Sequence, residues 1–406
     1  MPRDELIDAL RGLALFGILA VNIQSFVWGV GSPSLGVLQE SSRMADVVTL
    51  FLTALLLEYK FYPLFCFCFG YGFAVQTRRW VAGGADVHLR FTRRMNFMLI
   101  LGVLHGVLLW FGDILARYAI AGFLLRRHIR KGPRALMRVA VFWLGVTLIT
   151  GIGVSVLGGA LLNSEPANAT QRESAQQDSE KVFETYTEAG YIDATIQRAK
   201  DFFAVMAAYI FVLPQVMLLF LLGALVAQLK LLRYAARYRS FWQRVFWIGL
   251  LAGLPINFFH ALSQVSVASN PWMPSSAWEA LLATFAPLLA FSYVAAFALA
   301  RDGVAGTTLI RWLAPAGRAA LTLYISQSVL MMLLLNGFGF ALGFGATFGQ
   351  FELFVSAVLI YMLLLVGAHL MQRFAIAGPL EGMWRRYTNT QTNKSAHTTA
   401  TADKNT

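Results

Sequence analysis

Ten stretches of mostly apolar residues alternate with polar connections along this chain, at roughly 9–29, 48–76, 95–112, 113–126, 135–162, 203–229, 241–262, 279–300, 319–336 and 351–372. Most reach the ~20 residues a helix needs to cross the hydrocarbon core of a bilayer. Lipid offers the backbone no hydrogen-bond partners, so such stretches read as helices that satisfy their own polar groups. The pattern predicts an all-α fold: a polytopic transmembrane helical bundle of about ten helices. Stretch 48–76 is long enough to divide into an interfacial helix and a span starting near 61. Stretch 113–126 is short, either a tilted span or a re-entrant segment held by its neighbours.

The polar positions sort by sign. Assigning the N-terminus, alternate connections and the C-terminus to one side places 26 of the 33 Lys/Arg there. Such an asymmetry marks the cytoplasmic face, so both termini are expected inside. The longest connection, 163–202, is acidic and falls on the opposite side. Its segment YTEAGYIDATIQRAKDFF has the apolar spacing of an amphipathic helix on the outer membrane surface, or else is a solvated linker. The expected organisation is an N-terminal membrane bundle over 1–162, an extracytoplasmic loop over 163–202, a C-terminal membrane bundle over 203–386 and a disordered cytoplasmic tail over 387–406.

Composition agrees. The chain has 406 residues, 57% hydrophobic and 13% charged, with mean hydropathy +0.60; soluble domains carry roughly twice that charged fraction. The net charge of +12 does not indicate nucleic acid, because the basic residues flank the apolar stretches as anchors to the lipid bilayer. The first apolar stretch is long enough to span and lacks a small-residue cleavage pattern, so no cleavable signal peptide is expected. Cys66 and Cys68, spaced CxC inside apolar sequence, read as packing residues.

Candidate chemistry concentrates in Leu104–Ala121, LHGVLLWFGDILARYAIA. It places His105, Trp110, Asp113, Arg117 and Tyr118 in lipid-grade sequence, where ionisable groups persist mainly when they face a bundle interior. Gly112-Asp113 is expected to break the run into two helices. His105 could act as a base or carry an acyl group, or simply bond a neighbouring carbonyl. Asp113 could orient His105, or cap the following helix and pair with Arg117 at i+4. Arg117 could instead bind a phosphate or carboxylate. Glu58 and Lys60 could join this cluster or be interfacial. Asn22 could stabilise an oxyanion or make an interhelical amide bond. Arg11 stands at the mouth of the first span, where a phosphate-bearing donor would approach, or snorkels there. Gln327 is a candidate for the lining of a central cavity. His260 and His369 read as interfacial. No metal-ligand spacing, Walker loop or dinucleotide loop is present.

Several motifs follow one another along the chain: DALRGLALFGILAVNIQSF, EYKFYPLFCFCFGYGFA, LHGVLLWFGDILARYAIAG, GRAALTLYISQS, NGFGFALGFG and GPLEGMWR. In that order, over nearly the whole chain, they resemble the YeiB-like family of bacterial inner-membrane proteins, whose C-terminal half is a domain of unknown function. The RG…VN pattern of the first span is also distantly similar to heparan-α-glucosaminide acetyltransferase and the wider transmembrane acyltransferase superfamily. That resemblance implies passage of an acyl group from a cytoplasmic thioester donor to an acceptor across the membrane, with Asn22 and Arg11 at the matching positions. The essential His of those proteins follows the first span, whereas residues 25–60 here contain none; His105 is the substitute.

Three function classes result. One is an acyltransferase using His105, Asp113 and Asn22, with Arg117, Arg11, Lys60, Glu58, Trp110, Tyr118 and Gln327 binding substrate. Acyl-CoA is its possible co-substrate, and its acceptor is a lipid, glycan or small molecule. The second is a small-solute permease, and the third a structural or accessory membrane protein.

Overall fold

The computed structural model describes residues 4–30, 43–128, 130–163, 169–265, 283–338 and 342–389. Among these the regular secondary structure is helical, and the described part of each of the ten apolar stretches falls mainly on helix. Most of the first polar connection, part of NGFGFALGFG and residues 390–406 of the expected tail lie outside the described residues.

The chain opens with α1 (Glu5–Asn22), capped by the Asp4 side chain, which accepts from the Leu6 N–H at 3.3 Å. A single turn, α2 (Ser25–Trp28), follows. Next come α3 (Met44–Leu56) and α4 (Phe61–Ala82), broken near 57–60, where the sequence places the start of a span. Tyr59 takes the left-handed conformation at this break, with φ 58°. Then α5 (Val87–Leu108) and α6 (Leu115–Leu125) are separated by the Trp110–Ile114 turn, the predicted break at Gly112-Asp113. Long helices α7 (Pro133–Asn163), α8 (Ala169–Thr187), α9 (Tyr191–Gln228) and α10 (Arg239–Val265) lead into α11 (Pro287–Ala300). The chain closes with α12 (Val304–Arg318), α13 (Ala320–Leu335), α14 (Gln350–Arg373) and α15 (Pro379–Asn389).

Among the described residues, length and composition qualify six helical segments to cross a membrane, and a seventh if α12 and α13, bent by 77° at their joint, form one span. The remaining apolar stretches fall short for physical reasons. Asp8 and Arg11 interrupt α1, arginines occupy the first half of α5, and α6, with 11 residues, rises only about 16 Å. Of these, α1 and α6 sit inside the protein, whereas α5 keeps an exposed apolar face at Ile100 and Leu104. Most of α1 and α6 is buried, and their neighbours, not lipid, surround them. Around them stand apolar spans whose outward faces are exposed, such as Phe142, Ile149 and Val156 on α7 and Leu359, Leu363 and Val366 on α14. Those faces match hydrocarbon.

One hydrophobic core runs through both halves of the chain. The first helix packs deep against the C-terminal half: a Cβ at Gly12 would collide with the Leu313 carbonyl, and one at Gly317 with that of Asp8. Small residues therefore let α1 and α12 meet backbone to backbone. Tyr361 of α14 donates to the Gly12 carbonyl at 2.7 Å, and Gln327 of α13 to that of Leu15 at 3.2 Å.

The acidic segment 163–202 is no detached surface helix. The described part of it forms α8 and the start of a 38-residue α9 continuous with a span. Tyr186 is buried and donates to Asp201 at 2.7 Å. Its burial, and then the nearby carboxylate, raise its pKa well above that of an ordinary phenol, keeping it a donor. Arg198 donates to the carbonyls of Leu108 at 3.0 Å and Leu109 at 3.3 Å, satisfying the open C-terminal end of α5. The segment thereby clamps the α5–α6 turn.

A buried serine–histidine–aspartate constellation beside a basic cavity

The α5–α6 turn presents a continuous hydrogen-bonded line. His105 Nδ1 and Asp113 Oδ2 are 2.8 Å apart, and His105 Nε2 is 2.8 Å from Ser328 Oγ on α13. All three residues are almost fully buried, at 2%, 1% and 1% exposure for His105, Asp113 and Ser328. The other Asp113 oxygen accepts from the Ala116 N–H at 2.7 Å, so one carboxylate both caps α6 and fixes the imidazole. Gly102 makes this approach possible, since a Cβ there would strike Asp113 Oδ1 and the Ala116 backbone. With Asp113 accepting, the Nδ1–H tautomer leaves Nε2 to accept the serine proton. That is the arrangement of a nucleophile, a base and the group that orients the base.

The same turn positions the flanking groups. Trp110 stacks on Phe26 with ring centroids 5.7 Å apart and donates to Ser25 at 3.0 Å. This closes the constellation toward the α8–α9 end. On its other side the Tyr324 ring lies 5.0 Å from that of His105, and its hydroxyl accepts from the Ile114 N–H at 3.1 Å.

Tyr324, Ile114, Leu115 and Tyr118 form the inner end of a cavity of about 1150 Å³. Ten basic side chains against five acidic ones line it, Arg11, Arg78, Arg94, Arg233, Arg311 and Arg318 among the former. Some of these cations are neutralised internally: Arg11 is 3.5 Å from Asp8, and Arg318 pairs with Glu5 at 2.8 Å. Arg94 differs. It lies over the rings of Trp384 at 4.3 Å and Phe69 at 5.1 Å and donates to Gln76. Among the described residues no carboxylate pairs with it, and its Nε and the Trp384 indole N–H are buried without an acceptor. Trp384 belongs to α15, which Glu381 anchors by accepting from the Leu321 N–H at 2.8 Å and the Thr322 hydroxyl at 2.5 Å. The GPLEGMWR motif therefore caps α13 and walls the cavity.

The structure distributes the remaining candidates. Arg117 does not pair with the Asp113 carboxylate; it donates to the backbone carbonyls of Asp113 at 2.7 Å and Gly112 at 2.6 Å. The carboxylate was already fully engaged. Glu58 and Lys60 lie outside this cluster: Glu58 meets His260 at 2.9 Å, and Lys60, fully buried and not snorkelling, donates to the Ala54 carbonyl at 2.6 Å. Asn22 joins the neighbourhood only through its carbonyl, which accepts from Ser25 at 2.6 Å. Arg11 donates to the Cys68 carbonyl at 3.0 Å as well as facing the cavity. Gln327 is buried against α1 and is no part of the cavity wall. Tyr118 is fully buried and meets Cys66 at 3.1 Å. Among the described residues no three His, Cys, Asp or Glu side chains converge as metal ligands. Sequence reasoning missed Ser328, Tyr324, Arg94 and Trp384 as members of the site. The one available signal was the position of Tyr324 and Ser328 at i and i+4, on one helix face.

Comparison with known proteins places this geometry. Residues 226–391 match the family described as "Protein of unknown function (DUF418)". Over 407 residues, 96% of this chain and 97% of its relative, the sequence is 26% identical to "Uncharacterized protein YeiB" of Escherichia coli (strain K12). It is 24% identical over 401 residues, 95% and 94% of the two chains, to "Uncharacterized protein YxaH" of Bacillus subtilis (strain 168). Over nearly its whole length the chain is similar to these uncharacterised YeiB-like proteins. The DUF418 match covers Ser328, Tyr324 and Trp384 but not His105 or Asp113. The constellation is thus assembled across the boundary of the matched region.

Proposed function

We propose that this protein is an acyltransferase of the bacterial inner membrane. In this reading both termini are cytoplasmic, and the site moves an acyl group from a cytoplasmic thioester to an acceptor at the outer face. The observation that carries the reading is His105, held by Asp113 on one ring nitrogen and bonded to a hydroxyl on the other. A base so oriented serves acyl transfer, in which a proton must leave an attacking oxygen and return to a leaving group. The basic cavity supports the same reading. It ends one helix turn short of Ser328, and its buried, carboxylate-free Arg94 suits a phosphate-bearing donor such as acyl-CoA. Arg11 serves in the same wall, and Tyr118 and Trp110 shape the two ends of the reacting space. Arg117 fixes the turn that carries Asp113. The acceptor class is a hydroxyl-bearing lipid, glycan or small molecule.

The test is thermal unfolding of the purified protein in detergent with acetyl-CoA and longer acyl-CoA thioesters, paired with transfer of labelled acyl groups into a membrane extract. A ligand that binds only the folded state raises the melting temperature. Stabilisation by a thioester, together with acyl transfer lost in His105→Gln, is the expected result. Neither stabilisation nor transfer at saturating thioester would overturn the reading.

One observation favours a second reading, transport of a small solute. The cavity ends on Tyr324, Ile114, Leu115 and Tyr118, and the stacked Trp110 and Phe26 are not part of its lining, a one-sided opening like one half of an alternating-access cycle. Solute uptake into proteoliposomes that survives His105→Gln would favour it over transfer.

A further inference from the structure

We infer that Ser328 is the nucleophile of this site and that transfer proceeds in two displacements through an acyl ester on its Oγ. The inference rests on the acyltransferase reading and goes beyond it, since a base at His105 alone would serve direct attack by the acceptor. Three features point to the serine. Its Oγ is 2.8 Å from the one imidazole nitrogen that Asp113 leaves free. It is 1% exposed, so bulk water does not compete for an ester formed there. Tyr324, one turn earlier on the same helix, lines the cavity and lies with its ring 5.0 Å from that of His105, so the serine sits one turn behind the cavity wall.

The chemistry balances without a redox partner. Ser328 Oγ attacks the thioester carbonyl as its proton passes to His105 Nε2. The C–S bond breaks, and His105 returns that proton to the leaving thiolate, giving a free thiol and an ester on Ser328. The acceptor hydroxyl then enters, His105 takes its proton, and the Ser328 Oγ–carbon bond breaks. The proton returns to Ser328, and the product is the acceptor's ester. Asp113 holds and orients the imidazolium in both steps. Ser328 lies within α13, where helical bonding occupies the backbone N–H groups, so a side chain must hold the oxyanion. Tyr324 fits, because its hydroxyl accepts from Ile114 and its own proton is engaged with nothing among the described residues.

The decisive experiment incubates the full-length protein in detergent with isotopically labelled acetyl-CoA and no acceptor, quenches in acid and maps the label by mass spectrometry. A second arm uses a fluorophosphonate, which labels an activated serine whatever the natural donor. The expected result is one acetyl group on Ser328, absent from Ser328→Ala and His105→Gln, with fluorophosphonate on the same residue. The Ser328→Cys variant, which keeps the side-chain volume, should carry the acetyl as a thioester cleaved by neutral hydroxylamine. Transfer should fall at least about 1000-fold in Ser328→Ala. If Ser328→Ala keeps a tenth or more of the transfer rate, or if the label sits on His105, the serine is no nucleophile and only the base-catalysed reading stands. Fluorophosphonate on Ser328 without acetyl labelling or transfer would retain the nucleophile and discard the thioester. No label from either probe on the folded wild-type protein overturns the inference outright.

Discussion

Two histidine–carboxylate pairs in this molecule look alike and differ in what they can do. His105 meets Asp113 at 2.8 Å and His260 meets Glu58 at 2.9 Å, both imidazoles being nearly fully buried. The Asp113 side chain has no exposure, whereas Glu58 is 28% exposed at the α3–α4 break. The remaining nitrogen differs more. That of His105 meets the Ser328 hydroxyl beside a cavity; that of His260 is buried without a partner, and its ring leans on Tyr59. A histidine–carboxylate contact is thus no site by itself. The chemistry depends on what the second nitrogen can reach and whether a substrate can follow. At the α3–α4 break the pair joins two helices; at the α5–α6 turn it aims a proton acceptor at a hydroxyl.

Breaking each pair in turn tests the contrast. The largest effect is expected from His105→Gln, which should lower acyl transfer by about 1000-fold or more while the variant still purifies as a folded protein. His260→Gln should change the same rate by less than about 3-fold. Equal losses in the two variants would dissolve the distinction. Next in size, Asp113→Asn keeps an oxygen for the Ala116 N–H but favours the wrong imidazole tautomer, so kcat should drop by about 100-fold or more. Glu58→Gln should leave it near the wild-type value.

The third effect belongs to the cavity. On the proposed reading, in which the guanidinium binds the donor and takes no part in proton transfer, Arg94→Gln should raise KM for the thioester about 10-fold with little change in kcat. A fall in kcat at unchanged KM would place Arg94 in the reacting assembly instead. Smallest should be the stability effects. Glu381→Gln, which weakens the charged cap of α13, and His260→Gln, which strips Glu58 of its partner, should each cost about 1 kcal/mol. Denaturation in mixed micelles would measure both, and a cost several times larger for His260→Gln would show that the α3–α4 joint depends on that pair.

Much of the first half of the site was legible because it is local. His105 and Asp113 are eight residues apart, and Gly112-Asp113 marks the turn that folds one back on the other. Both roles weighed for Asp113, cap and orienting group, are present at once because a carboxylate has two oxygens. Arg117 was misjudged for a related reason: with both oxygens engaged, its guanidinium took the nearest open carbonyls. Lys60 went astray because a lysine at a span's mouth usually reaches water, whereas here the broken helix offers the Ala54 carbonyl inside the protein.

What the sequence determined alone was set by solvent physics. Apolar length and the placement of Lys/Arg dictate an all-helical membrane bundle, since lipid tolerates no unpaired backbone. Near-neighbour geometry adds the α5–α6 turn and its His–Asp contact. The tertiary structure alone decided that Ser328, 223 residues from His105, supplies the third member. It likewise decided that Arg94 and Trp384 share a cavity wall and that the charged helix α1 runs inside the bundle. Those pairings arise where small residues let distant helices approach, as Gly12 and Gly317 do for α1 and α12. No periodicity along a single chain records which helix will be met at such a crossing.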